Sequence, residues 1–292
     1  VSETALEAFQ SQRRRLFGIA YRMLGSVAEA EDILQNAWLR WDGADRDAIG
    51  DPAAFLTTVV TRLCLNELDS ARVRRESYVG PWLPEPVSTA EDPLVGAERS
   101  EALSLAVLLL LERLSSAERA AYVLHEAFDY PYQRVAEVLE VSEANARQLG
   151  SRARAHLARE RGAEVGKAEH ARLLQALVAA SQSGRLEALE SVLAEDVVSL
   201  SDGGGFVSAA RKPVHGRRRV AQLVLGVIAK FGEGIDVAPV TANGDAALLG
   251  TRDGRPVALW TVDVGPQGVR RLLIVMNPEK LGRFAAEALS HS

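Results

Sequence analysis

Hydrophobic spacing changes once along this chain, and that change limits what it can fold into. Up to about Leu193 apolar residues recur at offsets of three and four, the spacing of helices, apart from a proline-rich break near residues 76–100. Beyond Val197 they come as short runs: Val197–Leu200, Ala246–Thr251, Val257–Val264 and Val269–Val275. Asn243-Gly244, Asp253-Gly254 and Gly265-Pro266-Gln267-Gly268 punctuate these runs as turn signals. A helical part is therefore followed by an α+β part, and 292 residues suffice for two or three domains with separate cores.

The helical part opens with Phe9, Leu16, Ile19, Ala20, Met23 and Leu24 on one face, and Arg13-Arg14-Arg15 lies on the same helix. Gly25-Ser26 ends this helix and caps a second, where Val27, Ala30, Leu34, Ala37, Trp38 and Trp41 form a stripe. Glu29, Glu31 and Asp32 load the first turn of that helix, which suits its dipole. Trp38 and Trp41 fall on the stripe and are expected in a core or an interface, not as platforms for bases. After a polar loop, Asp42–Asp51, Pro52 starts a third helix carrying Phe55, Val59, Val60, Leu63 and Leu68. Its polar strip, Thr57, Thr58, Thr61, Arg62 and Asn66, with Arg72, Arg74 and Arg75 at the end, can face a single nucleic-acid strand.

A second helical block centres on Tyr132–Leu157. Val135, Ala136 and Leu139 share one face, and Ala146, Leu149, Ala153 and Leu157 share another. Between them Ser142 is placed to cap the second helix. Glu143, Asn145, Arg147, Gln148, Ser151, Arg152 and Arg154 point outward, with groups that hydrogen-bond base edges or neutralise phosphates. A helical hairpin with a solvated basic face has the same pattern, but the charge distribution favours a helix-turn-helix. Ala144–Gly162 holds five arginines (147, 152, 154, 159, 161) against the single Glu160, in a chain of net charge −5.

Between the blocks Pro81, Pro84, Pro86 and Pro93 exclude a helix. Tyr78, Trp82 and Leu83 are too apolar for a free linker, so this segment is expected to pack against something. Cys64 is the only cysteine, which excludes an internal disulfide and a cysteine-cluster metal site; its neighbours Leu63 and Leu65 mark it as a buried thiol. The longest apolar run, Ala102–Leu111, is about half a membrane span and carries Ser104, so no membrane partner is expected. No signal peptide is visible; a start at Val1 reads as processed or trimmed, and the expected location is the cytoplasm.

Two stretches carry a resemblance. AEAEDILQNAWLRWD followed by DPAAFLTTVVTRLCLNEL resembles region 2 of bacterial RNA polymerase sigma factors. ERLSSAERAAYVLHEAFDYPYQRVAEVLEVSEANARQLGSRARAHL resembles their region 4, in the order of the extracytoplasmic-function (ECF) group. YVGPWLPEP, Asp202-Gly203-Gly204-Gly205 and Asn277-Pro278-Glu279-Lys280-Leu281 resemble signatures of its SigJ-like subgroup, which carries a further C-terminal domain. Residues 168–284 resemble that domain's SnoaL-like, nuclear-transport-factor-like fold. The resemblance implies a multidomain chain: region 2 as a helical bundle over residues 1–75, a linker over 76–100, and region 4 as a helix-turn-helix over 101–162. An α+β cone over 168–286, with an antiparallel sheet, would follow.

The resemblance further implies partners and sites. Asp32, Ile33, Gln35, Asn36, Leu39 and Arg40 would dock on RNA polymerase core. The loop and strip of the third helix would bind and open a −10 element, and Ser142–Arg159 would read a −35 element of promoter DNA. Tyr78, Trp82, Leu83, Pro84, Asp202–Gly205, Asn277 and Pro278 would form a regulatory contact between linker and C-terminal domain, whose pocket can take an unidentified small ligand. Asn36, Asn66 and Asp69 depart from the residues usual in the family. Glu140 replaces a common turn glycine, so the turn must avoid the left-handed conformation or be distorted.

Asp196, Asp202, His215, Arg217 and Trp260 are the polar groups that a pocket in this domain would offer, and an Asp–His pair can do acid–base work. Nothing in their spacing shows that the two come within reach. A non-enzymatic factor without cofactor or metal is therefore favoured over a SnoaL-like isomerase or cyclase, or a ligand-sensing repressor, with a fused helix-turn-helix.

Overall fold

The computed structural model describes residues 3–89, 103–161 and 165–289, which fall into two units. The first holds the segment up to Glu76 and Val107–Glu160; the second holds the linker from Ser77, Ser104–Ala106 and the C-terminal domain.

In the first unit α1 (Glu3–Leu24), α2 (Val27–Asp42) and α3 (Pro52–Glu76) form a bundle. Gly25 turns the chain at φ +69°, and Ser26 caps α2 by accepting the Glu29 N–H. The apolar faces of α1 and α2 are buried as their spacing predicts, with Trp41 inside and its Nε1–H donating to the Ala5 carbonyl at 2.9 Å. Trp38 is half-buried, edge-on to Phe9. In α3 the buried face is rotated from the expected one: Leu56, Thr57, Val60, Thr61, Cys64 and Leu68 are inside, and Phe55, Val59 and Leu63 are half-buried. Burial pushes the Cys64 thiol far up, so it is an inert core group.

The remaining helices of this unit are α4 (Leu105–Leu111), α5 (Ser116–Tyr122), α6 (Tyr132–Leu139) and α7 (Glu143–Arg161), with a π turn at Val123–Ala127. Ser115 and Glu118 form a reciprocal capping box at α5. The α6–α7 turn uses the left-handed conformation after all: Glu140 itself adopts φ 55°, ψ 43°, and Ser142 then caps α7 through Asn145 N–H. Gly150 has a packing reason, because a Cβ there would lie 2.5 Å from the Tyr132 hydroxyl. That glycine lets α6 and α7 approach.

In the second unit α8 (Lys167–Gln182), α9 (Leu186–Val192) and α10 (Arg217–Phe231) accompany a six-stranded sheet of order β2-β1-β6-β5-β4-β3. The strands are β1 (Leu193–Asp202), β2 (Val214–His215), β3 (Asp236–Ala242), β4 (Asp245–Arg252), β5 (Arg255–Gly265) and β6 (Gly268–Val275), followed by α11 (Pro278–Leu289). Leu173, Leu177, Val197, Val220, Val262 and Leu272 are central to the core between helices and sheet. The sheet is mixed, not antiparallel throughout, because β1 and β6 run parallel. β3 is a strand the spacing did not disclose; Pro239 sits in it, which an edge strand tolerates. No helix among the described residues is long and apolar enough to cross a membrane.

Candidate nucleic-acid and regulatory sites

The outer face of α7 is the expected DNA reader. Glu143, Asn145, Arg147, Gln148, Ser151, Arg152 and Arg154 are all exposed, while Ala146, Ala153 and Leu157 are buried. Two of its arginines are held in place. Arg147 pairs with Glu143 at 2.5 Å and lies 5.2 Å from the Tyr132 ring centre. Arg154 turns back to Glu126 at 2.6 Å and to the Tyr132 hydroxyl at 3.2 Å. The hydrogen bond to Glu126 raises the Arg154 pKa further, so its charge is fixed.

On α2 the expected core-docking residues separate cleanly. Asp32, Gln35, Asn36, Leu39 and Arg40 are exposed, and Leu39 keeps 67% of its surface in solvent. Ile33 does not belong with them: it faces the bundle core, being one residue off the outward face.

The polar strip of α3 is largely covered. Thr57 and Thr61 are 1% and 0% exposed, which corrects the expectation of a strip open to a single strand. Over Thr57, Thr58 and Arg62 the covering element is the second helical block. Thr57 Oγ1 meets the Tyr130 hydroxyl at 2.9 Å, and Arg62 donates to the Val138 carbonyl and pairs with Glu140 at 2.9 Å. Arg134 of α6 donates to the Ala54 carbonyl at 2.7 Å and to Thr58 Oγ1 at 3.3 Å. Further along, Arg15 donates to the Phe128 carbonyl, and Arg22 lies 5.0 Å from the Phe128 ring centre. Arg119, almost fully buried, donates to the Met23 carbonyl and to Glu112; its burial lowers its pKa against the pull of that carboxylate. Arg75 bonds Glu112 and the Leu24 carbonyl. Arg74 binds Glu29 and Glu67, which raise its pKa. Asn66 and Arg72 remain exposed. Thr61 Oγ1 is buried with no hydrogen-bond partner among the described residues.

In the second unit the linker is fastened to the C-terminal domain at several points, and one carboxylate gathers most of them. Asp202, fully buried at the end of β1, accepts from the Tyr78 hydroxyl at 2.6 Å and the Leu83 N–H at 2.9 Å. Lys280 of α11 pairs with it at 2.7 Å and also donates to the Leu83 carbonyl at 2.5 Å. The Lys280 ammonium sits 5.1 Å from the Tyr78 ring centre and 4.4 Å from that of Trp82. Asn277 donates to the Tyr78 hydroxyl at 2.8 Å and caps α11 at the Glu279 N–H. Leu83, Pro84, Glu85 and Pro86 are buried, so the aromatic-proline segment does pack. Burial, and then the Asp202 carboxylate, push the Tyr78 hydroxyl above the ordinary tyrosine range.

The glycine string makes this buckle possible. Gly204 has φ +61°, and a Cβ on it would lie 2.4 Å from Asn277 Nδ2. Lys280 and Asn243 are the members that sequence reasoning missed. Asn243 accepts the Val87 N–H on its side chain at 3.1 Å and returns its own N–H to the Val87 carbonyl. A lysine within a short motif and a turn Asn-Gly gave no signal of a distant partner.

The polar groups weighed for catalysis are dispersed. Asp202 is spent on the buckle, and His215 is exposed opposite Val198, four residues back along β1. That is roughly 13 Å at strand rise. Asp196 and Arg217 are also exposed, whereas Trp260 packs inside the cone. No cluster of potential metal ligands occurs among the described residues.

A helical bundle joined to a helix-turn-helix with an arginine-bearing reading face defines a class of DNA-binding transcription factor, and family comparison fixes which one. Residues 8–74 match sigma-70 region 2, and residues 104–157 match sigma-70 region 4. The chain is 41% identical to the ECF RNA polymerase sigma factor SigJ of Mycobacterium tuberculosis, over 87% of this chain and 90% of that one. It is 30% identical to the probable ECF sigma factor SigI of the same species, over 96% of each. The crystal structure of M. tuberculosis SigJ superposes with a TM-score of 0.76 at 37% identity, covering 95% of this chain and 98% of that one. The chain belongs to the ECF sigma factors, with two helical sigma domains and a C-terminal α+β domain.

Proposed function

We propose that this chain brings RNA polymerase core to promoters and is regulated in cis through its linker. α2 docks on core by Asp32, Gln35, Asn36, Leu39 and Arg40, an exposed apolar residue amid polar ones on a helix otherwise buried. α7 reads a −35 element through Asn145, Arg147, Gln148, Ser151 and Arg152. Arg147, held by Glu143 and Tyr132, loses little conformational freedom on meeting a base. α3 engages and opens a −10 element, with Thr57, Thr58, Thr61 and Arg62 taking part once region 4 has moved away.

The Asp202 buckle is the observation that carries the regulatory reading. The linker that joins α3 to region 4 is held on the C-terminal domain, while region 4 covers the strip on α3. Uncovering the strip requires regions 2 and 4 to part, and a fastened linker restrains that movement. The unpartnered Thr61 hydroxyl fits a group whose partner is met only in the parted state. Core, promoter or a small ligand of the C-terminal domain shifts the balance only as far as it binds the two states differently.

Run-off transcription with purified core on a promoter library tests the reading. The full chain directs initiation from a defined set of promoters, and Leu39→Asp abolishes it by removing core binding. Absence of initiation on every promoter, both by the full chain and by a version ending near residue 161, would sink the sigma role.

A further inference from the structure

One strongly charged surface makes none of the side-chain contacts described above, although the Arg211 backbone lies beside Gly80 of the linker. Residues 211–219 read Arg-Lys-Pro-Val-His-Gly-Arg-Arg-Arg, with no acid among them. Arg211, Lys212, His215, Arg217, Arg218 and Arg219 are all exposed. They are spread over the turn before β2, β2 itself and the first turn of α10. Val220 and Ala221 are wholly buried, which fixes α10 so that the three arginines fan around its solvent side in steps of about 100°.

These cations are uncompensated. Among the described residues none of the five Arg and Lys side chains makes an ion pair, and the neighbouring Glu195 and Asp196 of β1 are exposed without pairing to them. Three arginines at the positive end of a helix repel the helix dipole and one another, where acids would be favoured. In a chain of net charge −5 such a cluster relieves its own repulsion by meeting an anionic partner. Arginine forks match phosphate oxygens in pairs. No Phe, Tyr or Trp stands in the stretch to stack a base, and no large apolar residue is there to anchor a protein partner.

We propose that this surface binds the phosphate backbone of duplex DNA without reading its sequence, giving the C-terminal domain its own contact with DNA. The inference rests on the promoter-binding reading only for the presence of DNA in the working complex. Each phosphate neutralised contributes about −0.9 to the slope of log affinity against log salt.

The test compares the full-length wild-type chain, R217Q/R218Q/R219Q and R211Q/K212Q, each free and with core, on a labelled promoter duplex and an unrelated duplex of equal length. The triple variant is expected to flatten the salt slope by about 2–3, and the double variant by about 1–2. Affinity should fall by the same factor on both duplexes, with core binding and the transcription start site unchanged. Equal slopes and affinities for all three proteins would overturn the proposal. So would a loss of core binding at unchanged slope, which would assign the surface to an acidic protein partner. If no promoter supports initiation, the slopes of the free chain on the unrelated duplex still decide this question.

Discussion

Gly204 and Tyr78 show how much the linker buckle asks of single residues. Placing alanine at Gly204 forces a Cβ into the left-handed region, which costs about 1–2 kcal/mol, and drives it into Asn277, the donor to Tyr78. We expect Gly204→Ala to lower the denaturation midpoint of the C-terminal domain and to expose Trp82 to a fluorescence quencher; an unchanged midpoint contradicts this. Tyr78 gives the pH dependence. Its folded pKa lies above its unfolded value, so its contribution is complete below about pH 10 and is lost as pH rises through the folded value. Trp82 emission should therefore stay constant from neutrality to about pH 10 and change above it. A transition near neutral pH would mean that another group controls the buckle. On the reading face, Arg147→Ala should cost about 1–3 kcal/mol if the side chain reads a base, by an amount that varies with promoter sequence. An equal loss on all sequences would reduce Arg147 to a phosphate contact.

At the scale of elements, the α3–α6 contact is the one to disturb. Arg134→Ala removes the donors to the Ala54 carbonyl and Thr58, worth about 1–2 kcal/mol. Hydrogen exchange over residues 132–139 should quicken while that of α1 does not; unchanged exchange would mean that the contact is held elsewhere. This contact also explains what the sequence disclosed and what it withheld. Helix faces closed by local spacing were legible, as in α1, α2 and α7. The buried face of α3 was not, because Thr57 and Thr61 read as polar although both are buried, Thr57 against Tyr130. The left-handed Glu140 was hidden for the same reason: its side chain is engaged by Arg62, 78 residues earlier in the chain. β3 was obscured by Pro239, and the parallel β1–β6 pairing has no signature in either strand. The exposed face of α7 was legible because it is a property of one helix. The exposed face of α2 was legible except at Ile33, where a one-residue step turns a side chain inward.

For the whole molecule, the proposed regulation in cis turns the chemistry of one buried ion pair into a question of promoter output. Lys280 offsets Asp202 in a nearly dry site, so replacing it by Met leaves a buried carboxylate uncompensated, at a cost of about 3–5 kcal/mol. That penalty falls on the state in which the linker is fastened. It is relieved when the linker lifts and water reaches Asp202. A shift of this size is enough to bring a balance of roughly 100 to 1 in favour of the fastened state to even or beyond. The most direct test of this coupling is run-off transcription from one responsive promoter at equal core occupancy, comparing the wild-type chain with Lys280→Met and with Tyr78→Phe. Both variants should raise the yield of transcript per bound core, Lys280→Met the more strongly, with core affinity unchanged. Identical yields from all three proteins, with Trp82 shown to be released in the variants, would contradict regulation through the linker.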